Sequence, residues 1–271
     1  MLGKMLKYDI KAMSRTFIPF YIAILVMSLF NTIFMCFEKI YAMLGGLTIF
    51  ACLFIGLGVA TTVMIITRFY HSVLGDEGYL TNTLPVSVDI ILFSKLFAAM
   101  FWLIISGIVT ILSFVVLMMG PVNMGDFFQS LGQLIQVVFD YMGTPDGFQD
   151  VMVIIAAALL LLLLMLLALA NEILHFYCSM ACSQLRPFSK NRVVTSFIAY
   201  FVLGIPLSIL TAALFAGVGS ITVPLQSVIQ SLSGSTLTLL GLGVSCFIFL
   251  LLDVLLYLPT RYILKNKLNL E

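Results

Sequence analysis

Six stretches of this chain run for 21 to 24 positions with almost no charged residue: Phe17–Phe37, Leu44–Thr67, Leu96–Met119, Val151–Leu174, Val193–Ala216 and Thr236–Leu258. At a rise of about 1.5 Å per residue, each is long enough to cross a hydrocarbon core of roughly 30 Å. Backbone N–H and C=O groups in lipid must be satisfied within the segment, so these stretches are predicted to be helices. The pattern predicts an all-α, polytopic membrane protein with six transmembrane helices.

Between and before the spans the pattern changes. Residues 2–17 place Leu2, Met5, Leu6, Ile10, Met13 and Phe17 at helical spacing, with Lys4, Lys7, Lys11 and Arg15 on another face. Such a helix suits a membrane interface, its basic stripe toward anionic headgroups at about 1 kcal/mol per charge. It serves as a topology anchor, a docking surface for a cytoplasmic partner, or both. In the loop 120–150, Gly120-Pro121 ends the third span. Phe127, Phe128, Leu131, Leu134, Ile135, Val138, Phe139 and Met142 then mark one face of an amphipathic helix from about Asp126 to Met142. Residues 217–235 are uncharged and rich in Gly, Ser and Gln, and form either an external loop or a short re-entrant hairpin.

Residues 68–95 are the largest segment predicted on the side of the chain ends. Gly75 and Gly78 bracket Asp76-Glu77, a turn or a helix start with acids at its positive end. Tyr79, Leu80 and Leu84 offer an apolar face, Pro85 stops a helix near Leu84, and Ser87 resembles an N-cap for a helix running through Asp89 into the third span. An ordinary re-entry hairpin explains the segment; so does a short interfacial helix gripped by a soluble protein.

Composition fixes the solvent. Hydrophobic residues make up 62% of the 271 positions and charged residues 9%, against about 45–50% and about 25% in soluble domains. A surface so poor in charge belongs in lipid. With no long polar stretch, residues 1–271 read as a single membrane domain with no attached extramembrane enzyme. No cleavage site follows the first apolar run, which reads as a retained signal-anchor. Cys36, Cys52, Cys178, Cys182 and Cys246 lie in or beside apolar stretches and do not suggest a disulfide framework.

The basic residues set the orientation. Lys4, Lys7, Lys11 and Arg15 precede the first span, Arg68 and Lys95 follow the second, Arg186, Lys190 and Arg192 follow the fourth, and Arg261, Lys265 and Lys267 follow the sixth. Only Lys39 falls on the other side, where Asp126, Asp140, Asp146 and Asp150 lie. By the positive-inside rule both termini are cytoplasmic.

Chemistry is sparse. The chain contains no G-x-x-x-x-G-K-[ST] phosphate loop, no H-E-x-x-H and no G-x-S-x-G, so it is read as having no catalytic residues, no metal site and no bound cofactor. Glu172 and Asp253 sit inside apolar spans, near the predicted cytoplasmic ends. An ionisable group there costs up to about 2.5–3.5 kcal/mol. Pairing or snorkelling toward nearby Arg or Lys is the structural explanation, and a substrate or proton role the functional one. Glu172 and His175 have the spacing of half a di-iron site, but the chain has two histidines and lacks the other half. Cys178 and Cys182 share a helix face as small packing residues, and Gly56-x-x-x-Ala60 permits close helix contact.

Several of these segments carry a family likeness. Met1-Leu-Gly-Lys-Met-Leu-Lys-Tyr-Asp-Ile-Lys-Ala, the segment Gly75-Asp-Glu-Gly-Tyr-Leu…Thr83-Leu-Pro-Val-Ser87, and Tyr177-Cys-Ser-Met-Ala-Cys-Ser-Gln-Leu185 followed by Asn191-Arg-Val-Val resemble ABC-2 type transporter permeases of Gram-positive bacteria. The likeness runs from the first residue through the fifth span. It implies a plasma-membrane permease half that pairs with a second half, identical or not, and with two cytoplasmic ATPase subunits that carry ATP and Mg. Residues 1–16 would be the elbow helix and 68–95 the coupling loop, with Gly75, Asp76, Glu77, Gly78, Tyr79 and Leu84 contacting the ATPase. The family often has larger hairpins between spans 5 and 6 than residues 217–235 provide.

Two functions follow as expectations. In the first, the chain is the membrane subunit of an ATP-driven exporter of amphipathic, hydrophobic or peptide-like cargo. In the second, it is a secondary transporter driven by protons or sodium through Glu172 or Asp253, although no inverted repeat or matched pair of interrupted spans is apparent.

Overall fold

The computed structural model describes residues 2–37, 40–74, 87–119, 124–142, 144–185, 192–222 and 234–266. Seven α-helices account for nearly all of them: α1 Leu2–Cys36, α2 Ile40–Phe69, α3 Val88–Met118, α4 Met124–Met142, α5 Pro145–Cys182, α6 Arg192–Thr222 and α7 Gly234–Asn266. Six of these, all but α4, are long and apolar enough to cross a membrane. The protein is an all-α, multi-pass membrane protein. Residues 2–16 and the first span are one uninterrupted helix of 35 residues, with Pro19 inside it. Helix α2 continues into a π-helical turn at Tyr70–Leu74, so the helical chain extends past Thr67, where the apolar run ends.

The helices tolerate polar residues because hydroxyls bond backwards to their own carbonyls. Ser28 donates to the Leu25 carbonyl at 2.8 Å, Thr61 to Leu57 at 2.6 Å and Thr260 to Leu256 at 2.7 Å. No hydroxyl in these turns is left to face lipid alone. Large apolar side chains such as Ile55, Leu159, Met165 and Ile205 remain exposed, the surface that acyl chains solvate.

The chain forms two compact units, Met1–Thr67 with Phe97–Gly147, and Arg68–Leu96 with Phe148–Glu271. In the first, α1 and α3 run parallel. Phe17 stacks on Trp102 with centroids 4.9 Å apart, Tyr21 shares a 2.8 Å hydrogen bond with Ser106, and Thr32 donates to the Val116 carbonyl at 2.7 Å. Helix α2 lies antiparallel to α1, with Gly46 against Asn31 and Gly56 near Phe20. Phe50 and Phe54 of α2 meet the ring of Phe114 on α3 edge-on.

In the second unit, α5 and α7 run parallel: the Cys246 thiol reaches the Leu160 carbonyl at 3.5 Å, and Asn171 reaches Asp253. The start of α3 lies antiparallel to the end of α7, where Phe93 stacks on Tyr257. Helix α6 packs on α5 through Tyr200, whose ring stacks on both His175 and Phe176.

Candidate functional site

In the second unit the end of α2, the start of α3 and the last turns of α5 and α7 are joined by side-chain contacts on either side of residues 75–86 in the chain. Those residues, including Gly75, Asp76, Glu77, Gly78, Tyr79 and Leu84, lie outside the described residues, and so do 223–233 and 186–191. The stems that carry 75–86 are described on both sides.

On the leading side, Phe69 ends α2 with 1% of its surface exposed. Its ring lies face to face with Tyr177 of α5, centroids 3.9 Å apart and planes inclined by 12°. The π-helical turn that follows buries Val73 and Ser72, and the Ser72 hydroxyl closes it by donating to the Arg68 carbonyl at 2.6 Å. Two fully buried rings in stacked contact contribute about 0.5–1.5 kcal/mol beyond their burial.

On the returning side, Ser87 stands just before α3 and its carbonyl accepts from Ile90 and Ile91 at 3.0 and 3.3 Å. Asp89 follows in the first turn, where a carboxylate is favoured by the helix dipole. Its two oxygens meet α7 from both sides. The Arg261 guanidinium pairs with it bidentately, Nε at 2.6 Å from Oδ1 and one Nη at 2.8 Å from Oδ2, and the Tyr257 hydroxyl donates to Oδ1. Planar fork geometry makes this a stiff link between two helices.

Above these stems a polar track runs along α5. Asn171, His175, Cys178, Ser179, Ser183 and Gln184 are all buried. The His175 ring packs on Gly204 of α6, where an added Cβ would come within 3.3 Å of its Cε1. The Nε2 atoms of His175 and Gln184 have no hydrogen-bond partner among the described residues. Among the described residues no group of three or more His, Cys, Asp or Glu side chains converges to hold a metal ion.

The two intramembrane acids differ. Asp253 of α7 is half-buried and accepts a 3.0 Å hydrogen bond from the Asn171 amide. Its partner is a neutral carboxamide, not the Arg or Lys expected from depth alone. Neighbouring Glu172 is exposed. The helix-contact glycine also differs from the one the spacing suggested. Gly56 has ordinary clearance, 3.9 Å to Phe20, while Gly46 is the point of close approach, with the Asn31 side-chain oxygen 1.9 Å from where a Cβ would stand. In the sequence Asp89 stood out only as an acid near a helix start and Arg261 only as a tail cation, and nothing there paired either with Tyr257, or Tyr177 with Phe69.

No family model, curated protein or solved structure matches this chain.

Proposed function

We propose that this protein is the membrane-spanning half of an ATP-driven exporter of the ABC-2 type, worked by separate cytoplasmic ATPase subunits through residues 75–86. The observation that carries this reading is the anchorage of both stems of that segment: Phe69 on Tyr177 of α5, and Asp89 on Tyr257 and Arg261 of α7. A push or pull on the segment is thereby delivered to two membrane helices at once. Packed helices respond by switching between discrete arrangements, which is what alternating access needs.

The energy enters from outside the chain, because its sequence has no phosphate-binding loop. Both termini and residues 75–86 lie on the cytoplasmic side in this reading, supported by the distribution of Lys and Arg. Two copies or two related halves would form the pathway in the plasma membrane. Apolar stretches that carry no acid but Glu172 and Asp253 suit an amphipathic, hydrophobic or peptide-like cargo better than a small ion.

The test is charge reversal at Asp76 and Glu77, both to Lys, in the intact membrane complex. The expected result is loss of ATPase co-purification and of ATP-dependent transport while the variant stays folded in the membrane. Unchanged co-purification and transport would sink the proposal.

A second function, ion-driven transport, draws support from the Asn171–Asp253 pair, an acid held between two helices by a neutral partner. It requires flux by the purified chain alone, abolished in Asp253→Asn or Glu172→Gln.

A further inference from the structure

A groove of about 390 Å³ runs along the last turns of α7, lined among the described residues by Leu258, Arg261, Tyr262, Lys265 and Asn266. We infer that this groove binds the headgroup of an anionic phospholipid, its phosphate held between Arg261 and Lys265. The inference does not rest on the transport proposal.

Position along the helix comes first. Helix α7 has 33 residues, about 50 Å, while the hydrocarbon core takes only about 30 Å. Its final turns therefore lie at or beyond the interface. Leu258, Arg261, Tyr262 and Lys265 are spaced i, i+3, i+4 and i+7, so they line one face in order. That order matches a phospholipid read from its chains outward: an aliphatic residue, then a guanidinium with an aromatic ring, then an ammonium and a carboxamide. Tyr at this level is the usual interfacial residue.

The face is open and charged. Leu258 and Tyr262 are 54% and 57% exposed, and the Arg261 side chain is 43% exposed. Asp89 uses the Nε and one Nη of Arg261. A guanidinium has five N–H donors, so donors remain for a phosphate after that pair is made. The pair also fixes the guanidinium plane in advance, lowering the ordering cost of binding. Lys265 is exposed and leaves the group Asp89, Arg261 and Lys265 one charge positive, complementary to one lipid phosphate.

The experiment uses the full-length protein in a neutral detergent, titrated with short-chain phosphatidylglycerol, short-chain phosphatidylcholine and inorganic phosphate, with bound lipid counted by native mass spectrometry. Phosphatidylglycerol is expected to bind in preference to both others. Lys265→Gln should weaken it about fivefold, the effect of one cation near an anionic surface. Tyr262→Ala should also weaken it, although it removes no charge. Equal binding of the two lipids would overturn the inference, as would competition by inorganic phosphate at the same concentration. An equal loss in Lys7→Gln, on α1, would also overturn it, because binding would then follow overall charge. Arg261→Gln also breaks the Asp89 pair, so Lys265→Gln and Tyr262→Ala, both on exposed side chains, decide the outcome.

Discussion

Asn171 donates a 3.0 Å hydrogen bond to Asp253, joining α5 to α7 within the apolar part of both helices. Interhelical hydrogen bonds in membranes contribute about 0.6 kcal/mol on average and up to about 1.7. Leaving an acid there without its donor costs more than the mean. Asn171→Leu is therefore expected to destabilise the protein by about 1–2 kcal/mol, read as thermal unfolding in detergent. Asp253→Asn preserves a hydrogen-bonding partner for Asn171 and should leave unfolding nearly unchanged. ATP-dependent transport should survive Asp253→Asn; its loss would move the case toward the ion-driven mechanism.

Gly46 sits directly beneath the carboxamide of Asn31, both of whose polar atoms lack a hydrogen-bond partner among the described residues. The oxygen faces the glycine hydrogen that occupies the place of a side chain, a Cα–H···O contact of the kind found between close helices. Gly46→Ala puts a methyl 1.9 Å from that oxygen and is expected to cost about 1–3 kcal/mol by overpacking. Combining it with Asn31→Ala should restore most of the loss, because the clash is between those two groups alone. A double-mutant cycle on unfolding temperature checks this. Additive effects would show that the clash is relieved elsewhere.

The Asp89–Arg261 pair is partly exposed, at 32% and 43%, so screening holds its contribution to stability to about 0–1 kcal/mol. Its mechanical role is larger in the proposed mechanism. Asp89→Asn or Arg261→Gln should leave expression and unfolding close to wild type while lowering ATP-driven transport several-fold. Exchanging the charges, with Asp89→Arg and Arg261→Asp together, should recover part of it. Transport at wild-type level in both single variants would remove α7 from the coupling route.

Tyr177 is 2% exposed and stacked on Phe69. Tyr177→Ala opens a large cavity beside the start of the π-helical turn and is expected to cost about 3–5 kcal/mol, seen as reduced yield of folded protein. Tyr177→Phe keeps the ring and should cost far less. Comparable losses in the two variants would mean that the hydroxyl, not the stack, matters.

The elements were legible in the sequence because their signal is local. Leu44–Thr67 or Val151–Leu174 declares a spanning helix by length and apolarity alone, and Ser87 marked the start of α3 one residue before it begins. Helix α4 occupies Met124–Met142, a stretch whose apolar residues recur at helical spacing. The basic residues carried the proposed orientation in the same local way.

Partners were not legible. Asp89 and Arg261 stand 172 positions apart, Asn171 and Asp253 82. In a membrane chain the faces toward lipid and toward other helices are both apolar, so the pattern that separates core from surface in a soluble protein carries little information about which faces meet. Only the register of packed helices chose Gly46 over Gly56 for close approach, and an amide over a cation for Asp253. The sequence by itself determined a six-span helical membrane protein, because burial in lipid is a matter of length and hydrophobicity. The tertiary structure decided which polar groups meet, because a hydrogen bond in hydrocarbon depends on a few ångströms of placement that no single helix encodes.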